Sequence, residues 1–274
     1  MNDKKKKEQR CLDLTRDYIA AHVNDKNRKY INSLLPISKE DFILVQNERP
    51  DFVANYGDCS YAIEHFLIDF CNDGVNNNQS ESRRANRDIM GIYNKYHDNN
   101  IGTIKDSDIP NAAQDIEDEI NKISNIAFSF DYGKYVDAFN RIFSHHYSRV
   151  NDYLTNKALT NSHIKVGFLI EFHCDTSLMY AMKHNASYYF QGTHRPFPLT
   201  KDIADIITAA NNLDFVIISQ FNEGVAGDSQ DVRIYEPNYM NRSLNKQHIT
   251  MYDKVCYTKV RKNISLKLEK DSEQ

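Results

Sequence analysis

Nine glycines in 274 residues are too few for a glycine-rich phosphate loop to be the main device of this chain, and neither GxGxxG nor GxxxxGK[ST] occurs. Nucleotide-binding folds of those two kinds have no support. The five cysteines (Cys11, Cys59, Cys71, Cys174 and Cys256) are odd in number, scattered and never arranged as CxxC. They read as free thiols of a reducing cytoplasm rather than as a disulfide framework. There is no HExxH pair and no GxSxG elbow, so neither of those metalloprotease and hydrolase signatures applies. No stretch approaches the roughly 18–20 apolar residues of a membrane span. The opening MNDKKKKEQR is basic but leads into no apolar signal core, so neither secretion nor membrane insertion is expected. An overall positive charge is also missing: the formal net charge is −4. Any contact with nucleic acid must come from local basic patches.

What is present is an ordinary globular composition, 41% hydrophobic and 26% charged, long enough for a real core. Residues 5–22 read as an amphipathic helix, with Leu12, Leu14, Thr15, Tyr18, Ile19 and His22 at helical spacing. Lys4 to Lys7 before it are a solvated lead-in or a phosphate-touching arm. DFILVQ at 41–46, DFVANY at 51–56 and SYAIEHFLIDF at 60–70 are three successive strands, the last two joined by a turn at Gly57. Polar, low-complexity sequence then begins at residue 72. Residues 72–130 are read as an insertion of loops and short helices, with helices near 84–97 and 111–126.

Tyr135, Ala138, Phe139, Ile142, Phe143, Tyr147, Val150 and Leu154 stripe one face of a helix over 133–156. HIKVGFLIEFH at 163–173 and DFVIIS at 214–219 are buried strands. A helix at 201–212, capped by Thr200, crosses between them and implies a parallel pair. Alternation at Ile264, Leu266 and Leu268 predicts a half-exposed final strand. The expected architecture is therefore α/β: a mixed central sheet with a helix–three-strand meander–helix–strand core plus the helical and loop insertion, in one domain spanning 1–274.

Two acids stand where core strands should be apolar. Asp51 opens the second strand, and Glu64 lies mid-strand in the third among Ile63, Phe66 and Ile68. The bland alternatives are a turn residue after Pro50 for Asp51 and a water-facing edge charge for Glu64. The chemical alternative is that the two carboxylates converge across the ribbon. They would then repel unless a cation lay between them. A hard divalent ion such as Mg²⁺ (or Mn²⁺) takes oxygen ligands and leaves a side open for a phosphate. Glu48, three residues before Asp51, can add a ligand.

RPDF followed by YAIEHF, after a leading helix and a strand, resembles the PD-(D/E)XK nuclease superfamily, the restriction-endonuclease-like fold. Pro50-Asp51 matches the first half of its motif and Glu64 the acid of the second. The resemblance covers residues 5–70 and 133–173. It implies a Mg²⁺-dependent hydrolysis of phosphodiester bonds, with Asp51 and Glu64 on the metal and the scissile phosphate. The family's lysine belongs two residues after the acid, where this chain has Phe66. His65 is the neighbouring candidate for a catalytic role, although strand alternation turns it to the opposite face. Lys134 and Arg141 on the following helix are other candidates for the lysine's part. The implied partner is nucleic acid, DNA ahead of RNA, with a homodimer left open. The alternative is a catalytically inactive binding module of the same fold.

Other groupings are less specific. Glu171 and His173 share a strand face near Asp175, with His145, His146, His184 and His194 elsewhere, but the spacing matches no metal motif. Cys59 and Cys174 are nominal nucleophiles that read more plainly as fillers. Arg83, Arg84 and Arg87, and Lys259, Arg261 and Lys262, are phosphate grips or solvated faces.

Overall fold

The computed structural model describes residues 3–69, 132–173, 179–189, 196–221 and 231–257, with short helical pieces between 107 and 118. The chain forms two compact units: Met1–Phe70 with Tyr132–Tyr257, and Cys71–Asp131 with Thr258–Gln274. The expected helix at 84–97, most of that at 111–126 and the strand at 264–268 lie outside the described residues, as do Arg83, Arg84, Arg87, Lys259, Arg261 and Lys262. The first unit carries everything below.

Helix α1 (Asp3–His22) opens it and buries Glu8, Cys11, Leu12, Thr15 and Ile19 on one face, the i, i+3, i+4 spacing of a helix laid on a sheet. Helix α2 (Asp25–Leu34) starts at an Asn24 cap that accepts the Asn27 N–H at 2.9 Å. Strands β1 (Val45–Gln46), β2 (Phe52–Tyr56) and β3 (Cys59–Asp69) form an antiparallel meander. Its tight turn uses Gly57 at φ 60°.

The first strand is far shorter than the apolar run 41–46 predicts. Phe42 donates its N–H to Lys39 and its carbonyl accepts from Arg16, so its backbone is spent on a turn and on α1. Phe42 and Leu44 plug the core while Ile43 stays exposed.

Helix α3 (Tyr132–Tyr147) and the short α4 (Val150–Leu154) replace the single helix expected over 133–156. The break falls at Ser148, whose hydroxyl donates to the His145 carbonyl at 2.8 Å and competes with the helical ladder. Strand β4 (His163–His173) runs parallel to β3. Strands β5 (Met179–Lys183) and β6 (Ala186–Tyr189) follow, then α5 (Lys201–Ala209), whose first turn is capped by Thr200. Strand β7 (Phe215–Phe221) is parallel to β4, as the helical crossover required, and β8 (Asp231–Tyr235) returns antiparallel. Helix α6 (Met240–Gln247) and β9 (Lys254–Tyr257) complete the unit.

The six-stranded sheet has the order β1-β2-β3-β4-β7-β8, and β6-β5-β9 make a separate three-stranded sheet. The molecule is thus a mixed α/β fold. Leu12, Ile19, Phe52, Ile63, Leu169, Phe215 and Ile217 fill the core between the sheet and α1. On the opposite face, Phe143 of α3 meets Phe168 of β4 edge-to-face. Among the described residues no helix is long and apolar enough to cross a membrane.

Candidate active site

The two acids of the ribbon are both inside: Asp51 is 3% exposed and Glu64 7%. Phe52 pairs with Ile63, and continuing that register by one residue sets Asp51 across from Glu64. Residues so opposed have Cβ atoms about 4.5–5.5 Å apart. Asp51 Oδ2 accepts the backbone N–H of His65, next to Glu64, at 2.9 Å. Burial and then the Glu64 charge push the Asp51 carboxyl up to about 6, against the partial relief of that N–H and of Lys4. Two sequence-separated acids therefore share one buried position.

Helix α1 adds two groups that the motif did not include. Glu8 is buried at 2% exposure, with its charge acting on Asp51. Lys4, one turn earlier, lies 3.1 Å from Glu8 and 3.6 Å from Asp51. Desolvation pulls the Lys4 ammonium down, but Asp51, Glu8 and Glu64 together outweigh it and raise its pKa. The signal for this pair was a glutamate on the buried stripe of an amphipathic helix, with a lysine at i−4 to it. The lysine-rich lead-in masked it.

On the other flank, His146 of α3 sits with Nδ1 3.2 Å from Glu64 Oε1. Its ring lies flat on Phe66, centroids 4.1 Å apart at 6°. Phe66 thus props the imidazole that meets the acid. Tyr153 of α4 is buried nearby, and burial together with the Glu64 charge raises its hydroxyl far above its usual range. Glu64 Oε2 is buried, and the Tyr153 hydroxyl is the donor that faces Glu64.

Of the other sequence-predicted site residues, Glu48 is exposed on the bend before Asp51, and Arg141 is exposed on α3. The side chains of Lys134 and His173, and residue Asp175, are outside the described set. His65 contributes its backbone N–H to Asp51, but its imidazole turns to the α1 face, where Nε2 lies 3.2 Å from Glu171 Oε2. Strand alternation explains this: 64 and 66 face α3, while 63 and 65 face α1. Glu171 therefore pairs with His65.

The donors around Asp51 are all hard oxygens. Three carboxylates against one ammonium leave a charge of about −2 when all are ionised, which one divalent ion of the Mg²⁺ or Mn²⁺ kind balances. Asp51 and Glu64 come nearest to a ligand pair for it, with the Glu8 charge also acting on Asp51. Comparison with protein-family models, curated proteins and solved structures found no match to this chain, so the chemistry of the site rests on its own geometry.

Proposed function

We propose that the protein is a divalent-metal-dependent nuclease of the PD-(D/E)XK kind, hydrolysing phosphodiester bonds in nucleic acid, DNA ahead of RNA. The observation that carries the reading is the burial of Asp51 and Glu64 beside one another, with the Glu64 charge acting on Asp51 and the Lys4 ammonium 3.6 Å from it. Buried like charges destabilise a fold, and the simplest return for that cost is cation binding.

In this reading Glu8, Asp51 and Glu64 hold Mg²⁺ or Mn²⁺. Such an ion supplies Lewis-acid stabilisation of phosphate charge and a more acidic bound water. Lys4, anchored by Glu8 and Asp51 yet largely exposed, reaches toward solvent to pair with a non-bridging phosphate oxygen and takes the part of the lysine that Phe66 displaced. His146 fixes the Glu64 carboxylate through Nδ1. With Nδ1 donating, its Nε2 is a proton acceptor. A groove lined by Lys26, Lys29, Arg242 and Lys246, with Glu236 as its one acid, supports an anionic polymer as the partner.

The binding-module alternative draws on Phe66, which is packed into the core rather than available for chemistry. Plasmid and single-stranded substrates incubated with Mg²⁺, Mn²⁺ or EDTA separate the two. Metal-dependent cleavage that Asp51→Asn lowers by about 10²-fold or more supports the nuclease. Tight binding without cleavage under any metal rejects it in favour of the module, and cleavage untouched by Asp51→Asn rejects this site.

A further inference from the structure

A second group of ligating side chains lies on the opposite face of β3 from the carboxylates. Cys11 comes from α1, His65 from β3 and Glu171 from β4, and their ligating atoms all fall within 4.8 Å of one another. Cys11 and His65 are buried, and Glu171 is partly open. Backbone architecture holds the three in place. In the parallel register His65 faces Leu169, so Glu171 is its diagonal neighbour on the same face. Thr15, one turn after Cys11, donates to the Cys11 carbonyl at 2.7 Å and lies 2.9 Å from the Ser219 hydroxyl, which ties this turn of α1 to β7.

We propose that Cys11, His65 and Glu171 bind a borderline transition-metal cation of the zinc class, separately from the ion at Asp51 and Glu64. One sulfur, one nitrogen and one oxygen make a donor set that zinc takes and that Mg²⁺ does not. Bonds of about 2.0–2.3 Å in a tetrahedron place ligand atoms roughly 3.3–3.8 Å apart. The 3.2 Å His65–Glu171 separation is already of that order, and the sulfur has only a short distance to close. Three protein ligands with one partly open carboxylate leave a fourth position for water. On binding, the Cys11 thiol gives its proton to solvent and the His65–Glu171 hydrogen bond is exchanged for two metal bonds.

The site's role follows from what its ligands are attached to. Helix α1 carries Lys4 and Glu8 at its start and Cys11 one turn on. His65 carries the N–H that holds Asp51. A cation bridging Cys11 to His65 and Glu171 clamps α1 to the sheet and fixes that N–H. This proposal does not rest on the nuclease reading, because its ligands and its readout are distinct from cleavage.

The test uses full-length protein stripped with chelator, then titrated with Co²⁺ and, separately, Zn²⁺. Expected for wild type are one tightly held Zn²⁺ per chain and a sulfur-to-Co²⁺ charge-transfer band. Cys11→Ser and Glu171→Gln should each abolish both, while Asp51→Asn should keep both. Circular dichroism identifies any variant that fails to fold, and Glu171→Gln, at the more open position, stands as the second variant if Cys11→Ser is one of them. Absence of the band in folded wild type overturns the proposal. So does a band that persists in both ligand variants, which would assign it to another cysteine, or one lost only with Asp51→Asn.

Discussion

At the scale of single residues the proposed mechanism turns on Lys4. Its ammonium lies 3.6 Å from Asp51, yet it stands 60 residues before Glu64, where no motif spacing would place it. As an exposed group its ion pairs with Glu8 and Asp51 contribute little to folding, about 0–1 kcal/mol. A purely structural role therefore predicts almost no effect of Lys4→Met. The catalytic role predicts two opposite effects. Cleavage should slow by about 10²-fold through kcat, while Mn²⁺ should bind more tightly, because the competing ammonium is gone. Lys4→Arg, which keeps the charge, should recover part of the rate. Steady-state cleavage and a calorimetric Mn²⁺ titration check both, and a Lys4→Met protein that cuts at the wild-type rate would remove Lys4 from the mechanism.

At the scale of elements, the strands and their pairing were readable because their residues report burial directly. HIKVGFLIEFH predicted β4 to the residue, since the middle of a strand covered on both faces, here VGFLI, is apolar without alternation. Gly57 announced the ribbon's turn, and Thr200 its helix start. What the sequence hid depends on competition between local and distant partners. Phe42 and Leu44 look like strand residues, but their segment is held by a turn and by Arg16. The Ser148 hydroxyl ends a helix whose apolar stripe runs on regardless, and that break sets Tyr153 near Glu64. Of the site, the Pro-Asp and mid-strand glutamate were legible as residues out of place, and the opposite facing of His65 followed from alternation. Glu8, Lys4 and His146 were not, because they arrive from other elements through packing. The parallel β4–β7 pair offers a further check on the packing. Gly167 lies against the Phe215 ring, and a Cβ there would fall inside that ring's van der Waals envelope. Phe215 is fully buried in the α1-side core, so it has little room to move. Gly167→Ala should cost about 1–3 kcal/mol in urea denaturation. Phe215→Leu in the same chain should return part of that loss, a non-additivity expected only if the two positions touch.

For the molecule as a whole, the buried acids couple protons to stability, and the proposed metal binding would join that coupling. The Asp51 carboxyl titrates near 6 in the metal-free fold, against its ordinary 3.8. Between those values the folded protein binds more protons than the unfolded chain, so stability falls as pH rises through the window and stays lower above it. The loss from this group is on the order of 2 kcal/mol, allowing for its incomplete burial. At the proposed site a divalent ion would act in the opposite sense, because it would bind only the ionised carboxylates of the folded state. At ten times its Kd, Mg²⁺ should add about 1.4 kcal/mol. That is a rise in Tm of roughly 3–6 °C for a chain of this size. The rise should be present at pH 7.5 and shrink toward pH 4.5 as protons displace the ion. Asp51→Asn removes both halves of the coupling. Its metal-free form should be more stable than wild type at pH 7.5 and equal to it near pH 4, with no response to Mg²⁺ at either. Thermal melts of the two proteins at the two pH values, with Mg²⁺ and with EDTA, measure all of these differences together. A wild-type protein that loses no stability relative to Asp51→Asn between pH 4 and 7.5 without metal would show that Asp51 and Glu64 do not oppose one another, and the metal site would lose its physical basis.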